Sequence, residues 1–95
     1  MLREPGGRVA FQFQARDLNL VMGPAAGSGP IPFRVFLDEE AVDGAAGTDV
    51  AAGGRGILDG QRTYQLVRQP EPIVARRFEI EFTAAGAEAY CFTFG

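Results

Sequence analysis

Ninety-five residues suffice for one domain and not for two, and a composition of 46% hydrophobic and 22% charged residues is that of a globular chain. Twelve acidic against nine basic residues give a net charge of −3, which excludes the basic footprint of a nucleic-acid binder. Histidine is absent, which removes the commonest general base and metal ligand, and the single cysteine, Cys91, excludes an intrachain disulfide or a Cys-x-x-Cys redox pair. All nine basic residues are arginine, a bias that, with the abundant Ala and Gly, matches GC-rich coding. No apolar run approaches the ~20 residues of a membrane span, and Met1–Gly7 lacks the apolar core of a signal peptide.

Strict alternation dominates the chain. In Arg8–Gln14, Val9, Phe11 and Phe13 face one way and the glutamines the other. Ala15–Met22 reads as a second strand carrying Leu18, Leu20 and Met22 opposite Asp17 and Asn19. Gly23-Pro24 is expected to end it, and Gly27–Pro30 extends the loop. Phe33, Val35 and Leu37 give a third strand, closed by Asp38-Glu39-Glu40. Ala41–Gly56 is Gly/Ala-rich without a sustained period and reads as a long loop with a short strand near Asp49-Val50. Arg55–Leu58 begins another short strand.

Asp59-Gly60 has the composition of a tight turn with φ > 0. Arg62–Arg68 follows, with Tyr64 and Leu66 on one face, and Gln69-Pro70-Glu71-Pro72 breaks the chain. Arg77–Thr83 is the clearest strand, Phe78, Ile80 and Phe82 facing in. Ala85-Gly86 turns it into Glu88–Phe94, whose Tyr90, Phe92 and Phe94 share a face. Seven strand candidates and no helical period predict an all-β fold, an antiparallel two-sheet sandwich or barrel. Phe11, Phe13, Leu20, Phe33, Val35, Leu66, Phe78, Ile80, Phe82 and Phe92 are the expected core.

No constellation carries catalysis or a metal. Asp49–Gly56 has the Asp-first, Gly-sixth outline of a calcium loop but lacks oxygen ligands at its third and fifth positions, Ala51 and Gly53. It also lacks the Lys-Ser/Thr ending of a phosphate loop. Glu79 and Glu81 alternate with core residues and face solvent, so neither gains the raised pKa of a general acid. Cys91 reads as a small buried hydrophobe.

Two polar groups are candidate ligand-binding residues. Arg62, Tyr64 and Arg68 lie two and four apart on one strand face, where arginine forks and a ring suit a sugar or an acidic partner. The competing reading packs Tyr64 in the core with the arginines at the strand ends. Asp17, Asn19 and Arg34 on neighbouring strands form the second group.

The segments Phe11–Pro24, Phe33–Asp38, Gly47–Val50, Arg62–Gln69, Phe78–Phe82 and Ala89–Gly95, in that order, resemble the C-terminal domain of thioredoxin-like proteins of the DipZ type, a group that includes redoxin-domain proteins. The resemblance implies a jelly-roll-like sandwich similar to carbohydrate-binding modules. It implies that residues 1–95 are one domain, a C-terminal fragment of a larger protein whose thioredoxin-like domain holds the redox cysteines. It further implies an open sheet edge able to pair with a second copy.

The implied function is that of a non-catalytic accessory module of a thiol-disulfide redox protein, recognising a substrate or partner. A carbohydrate-binding module and a purely structural or oligomerisation domain are the alternatives. The expected partners are the thioredoxin-like domain of the parent chain and a protein or glycan ligand, with no cofactor, no nucleic acid and no direct membrane contact. A DipZ-like parent places the module outside the cytoplasm and a soluble one inside it.

Overall fold

The structure is a computed structural model, and it describes residues 7–27, 29–42, 44–84 and 86–95. Ser28, Asp43 and Ala85, assigned above to loops and a turn, lie outside the described residues, as does the 1–6 segment. Among the described residues, eight strands follow in order: β1 (Arg8–Phe13), β2 (Asp17–Pro24), β3 (Ile31–Leu37), β4 (Glu40–Ala41), β5 (Arg55–Leu58), β6 (Arg62–Arg68), β7 (Arg76–Phe82) and β8 (Ala87–Phe94). All pairings are antiparallel. β1, β7 and β3 form one sheet in that order, with β4 and β5 sharing the far edge of β3; β6, β2 and β8 form the other. The chain passes repeatedly from one sheet to the other, giving a jelly-roll-like sandwich.

The alternating residues meet between the sheets. Leu18, Leu20 and Met22 of β2 and Phe33, Val35, Phe78, Ile80 and Phe82 of the first sheet are buried. Rings bridge the layers edge to face: Phe11 of β1 lies 4.8 Å from Phe92 of β8, and Phe33 lies 6.2 Å from Tyr64 at 87°, the geometry that ring quadrupoles favour. The expected core is right at its centre. It omits, among others, Ile31, Val42, Leu58, Tyr64, Val67 and Ala87, which are also buried, and its Phe11 and Phe92 are only partly buried.

Several local expectations are corrected. β2 runs past the expected Met22 and includes Gly23-Pro24, which pairs with Glu88 and Ala87 of β8 as its last two residues. Pro24 is tolerated because β6 has already ended opposite Met22, so no neighbour on that side needs its missing N–H. Asp49-Val50 forms no strand; isolated bridges join Ala46 to Val67 and Ala51 to Arg55, and Ala52–Gly54 is a single 3₁₀ turn. The hairpin joining β3 to β4 was not expected. Its two-residue turn, Asp38-Glu39, takes φ of 52° and 71°, although neither residue is glycine.

Asp59-Gly60 is not a tight hairpin turn. It joins β5 in one sheet to β6 in the other, so the chain arches across the sandwich, and Gly60 is not among the positive-φ glycines.

The last strand carries a β-bulge. Ala89 pairs with Met22 and Cys91 with Val21, leaving Tyr90 as the extra residue. The bulge reverses the expected phase of Tyr90. Ala87 and Ala89 face the core with Phe92, while Tyr90 and Cys91 are exposed. A buried role for Cys91 is thereby overturned.

Candidate functional site

The outer face of the β6-β2-β8 sheet is built from the residues that alternate with its core positions. Register places Gln65, Asn19 and Thr93 in one row and Thr63, Val21 and Cys91 in the next. Arg68 and Asp17 stand opposite each other at one end, and Tyr90 and Glu88 occupy the β8 border. The Thr48 hydroxyl donates to Gln65 Oε1 at 3.0 Å, so the long loop contributes to the rim.

The electrostatics of this face are muted. Arg16 holds Asp17 at 2.9 Å, and Arg68 reaches the same carboxylate at 3.9 Å. Asp17 thereby keeps the Arg16 guanidinium above its ordinary pKa, chiefly through their hydrogen bond. Partial desolvation against the sheet, followed by the charge of Glu88, raises the Tyr90 phenol. Amides and hydroxyls with spare hydrogen-bonding capacity fill the space between, beside a tyrosine that is 55% exposed. Such a face suits recognition of a polar ligand, and among the described residues it offers no nucleophile–base pair.

The six residues singled out in sequence do not form one site. Asp17, Asn19 and Arg68 lie on this face. Tyr64 is fully buried, so the competing core reading of the Arg62–Tyr64–Arg68 strand is the one the structure shows for Tyr64. Its hydroxyl lies 2.6 Å from Gly60 O and accepts the N–H groups of Asp59 and Gly60 at 3.2 Å, clamping the arch between sheets. Arg62 covers the ring of Tyr64 and is held by Asp49 at 3.0 Å. Both therefore serve the fold.

Arg34 lies on the opposite face of the sandwich. It donates to Gly53 O at 3.0 Å and stacks 5.3 Å from the ring centroid of Phe36. Glu79 and Glu81 share that face, where both are paired with Arg8, at 3.3 and 2.5 Å. Sequence reasoning missed Gln65, Thr93 and Tyr90. Gln65 and Thr93 become visible only when register aligns them with Asn19, and Tyr90 only through the bulge.

Among the described residues, no three His, Cys, Asp or Glu side chains group as a metal site, and no helix is long and apolar enough to cross a membrane.

Fold and faces together define a small antiparallel β-sandwich with one polar, weakly charged sheet face. Residues 1–95 match the family described as the thioredoxin like C-terminal domain, and the chain belongs to that family. No curated protein matches its sequence. Among solved structures, a family two carbohydrate esterase from Clostridium thermocellum in complex with cellohexaose is similar, with a TM-score of 0.74 at 14% identity over 99% of this chain. An active-site mutant of a family two carbohydrate esterase from the same organism gives 0.73 at 14% identity, also over 99% of this chain. The chain spans 26% of the length of each. At that identity the likeness shows the sandwich fold.

Proposed function

We propose that this chain is a non-catalytic accessory module of a thiol-disulfide redox protein, recognising a partner through the outer face of the β6-β2-β8 sheet. Family membership over all 95 residues carries the reading. The chain's own chemistry agrees with it: one cysteine cannot cycle between dithiol and intrachain disulfide, so on this reading the redox couple would lie in a thioredoxin-like domain of the parent. Arrayed Asn19, Gln65 and Thr93 supply directional hydrogen bonds, and Tyr90 supplies an amphipathic contact at low entropic cost.

The test is the double variant Asn19→Ala/Gln65→Ala in the full protein. KM for a protein disulfide substrate should rise at least tenfold, while turnover of a small aromatic disulfide stays unchanged. Unchanged KM removes this face from the reading.

Glycan binding is the second reading. It is favoured by the exposed Tyr90 beside amides and by the cellohexaose held by the similar esterase. Calorimetric titration with cellohexaose at millimolar concentration decides it: heat that disappears in Tyr90→Ala supports the glycan reading, and no heat removes it for this saccharide.

A further inference from the structure

The outer face of the larger sheet carries a row of four charges in register: Arg8, Glu81, Arg34 and Arg55 on β1, β7, β3 and β5. Arg8 is neutralised by Glu81 at 2.5 Å. At the other end, two arginines stand directly opposite each other, an arrangement that repels in a sheet. Among the described residues, Arg8, Arg16, Arg62, Arg68 and Arg76 have carboxylate partners at ion-pair distance, whereas Arg34, Arg55 and Arg77 have none, and of these only Arg34 and Arg55 face each other in register.

Both guanidinium groups converge on Gly53. Arg34 Nε donates to its carbonyl at 3.0 Å, and a Cβ on Gly53 would lie 3.8 Å from Arg55 Nε. A groove of about 370 Å³ opens here, lined by both arginines together with Pro32, Ile57, Glu81 and Thr83. Ile57 is 49% exposed and pairs with Pro32 one same-face step from the arginines, a spacing of roughly 6.6 Å.

We propose that Arg34 and Arg55 form a carboxylate-binding site for an extended peptide segment that carries an acidic residue and, two positions away, an apolar one. The alternating row + − + + is completed by one negative charge between its last two members, and the arginine fork matches a carboxylate in shape as well as charge. An extended peptide repeats its side chains on one face every two residues, which matches the step from the arginine row to Pro32 and Ile57. This inference rests on the recognition reading and adds to it a second surface and a ligand chemistry.

The test uses the ¹⁵N-labelled chain and follows the Nε–Hε signals of Arg34 and Arg55 by NMR. The probe is the peptide acetyl-Gly-Asp-Gly-Leu-Gly-amide, with the Asn-for-Asp peptide and sodium acetate as comparison arms. Saturable shifts of both signals are expected with the Asp peptide, with at least tenfold weaker binding of the Asn peptide and of acetate. Arg55→Gln, with the rest of the spectrum unchanged, should weaken the Asp peptide at least tenfold, and Ile57→Ser should do so several-fold. Equal binding of the Asp and Asn peptides, acetate binding as tightly as the peptide, or unchanged affinity in Arg55→Gln would each overturn the site. If the site fails here while removal of the domain still raises KM for a protein substrate, this surface is overturned and the recognition reading stands.

Discussion

The guanidinium carbon of Arg62 sits 3.8 Å from the ring centroid of Tyr64, closing one end of the sandwich over a fully buried tyrosine. Asp49 locks the lid: Oδ1 holds Arg62 at 3.0 Å, and Oδ2 accepts the N–H of Gln65 at 2.7 Å. Beneath, the Tyr64 hydroxyl holds the Asp59-Gly60 arch. Tyr64→Phe removes the acceptor for two backbone N–H groups and should cost ~1–3 kcal/mol. Urea unfolding should show a lower midpoint at unchanged slope, with partner binding intact.

The turn between β3 and β4 places Glu39 at φ 71°, where a Cβ is unfavourable. Glu39→Gly removes that clash, and the greater freedom of glycine when unfolded offsets part of the gain. A net stabilisation of ~0.5–1 kcal/mol is expected, read as a higher unfolding midpoint.

Asp38 accepts the backbone N–H of Arg77 at 2.9 Å and also the Nε–H of Arg76. The Arg77 hydrogen bond, followed by that of Arg76, holds the carboxyl below its ordinary pKa. The folded value is depressed, so the contribution of Asp38 is present above the unfolded value of about 3.9 and is lost as pH falls through the folded value. Asp38→Asn should therefore be less stable than the parent at neutral pH and lose less stability on acidification below about pH 4. Unfolding midpoints measured from pH 7 to pH 2 check this.

Cys91 projects from the outer sheet face beside Val21 and Tyr90. Folded protein should therefore react with an aromatic disulfide reagent to one thiol equivalent without denaturant. A thiol silent until unfolding would contradict the outward placement of Cys91 opposite Val21.

Much of the sandwich is legible in the sequence because its strands alternate cleanly. Phe78, Ile80 and Phe82 leave only one face for Glu79 and Glu81 to occupy, and the structure agrees. Legibility fails where tertiary pairing overrides local signals. Gly23-Pro24 reads as a terminator, yet it continues β2 because its only neighbour there is β8. Asp59-Gly60 reads as a hairpin turn, yet it links two different sheets.

The site suffers most from this. A single inserted residue reverses the phase of Tyr90, and alternation alone gives no sign of the bulge. Arg34 and Arg55 are 21 positions apart and become neighbours only through the β3–β5 register.

Recognition without catalysis is tested most directly by removing residues 7–95 from the longer parent that the proposed accessory role implies and comparing two substrates. Recognition predicts that KM for a protein disulfide rises at least tenfold while kcat and KM for a small aromatic disulfide stay unchanged. A parallel fall in activity on both substrates, or no change on either, would contradict it.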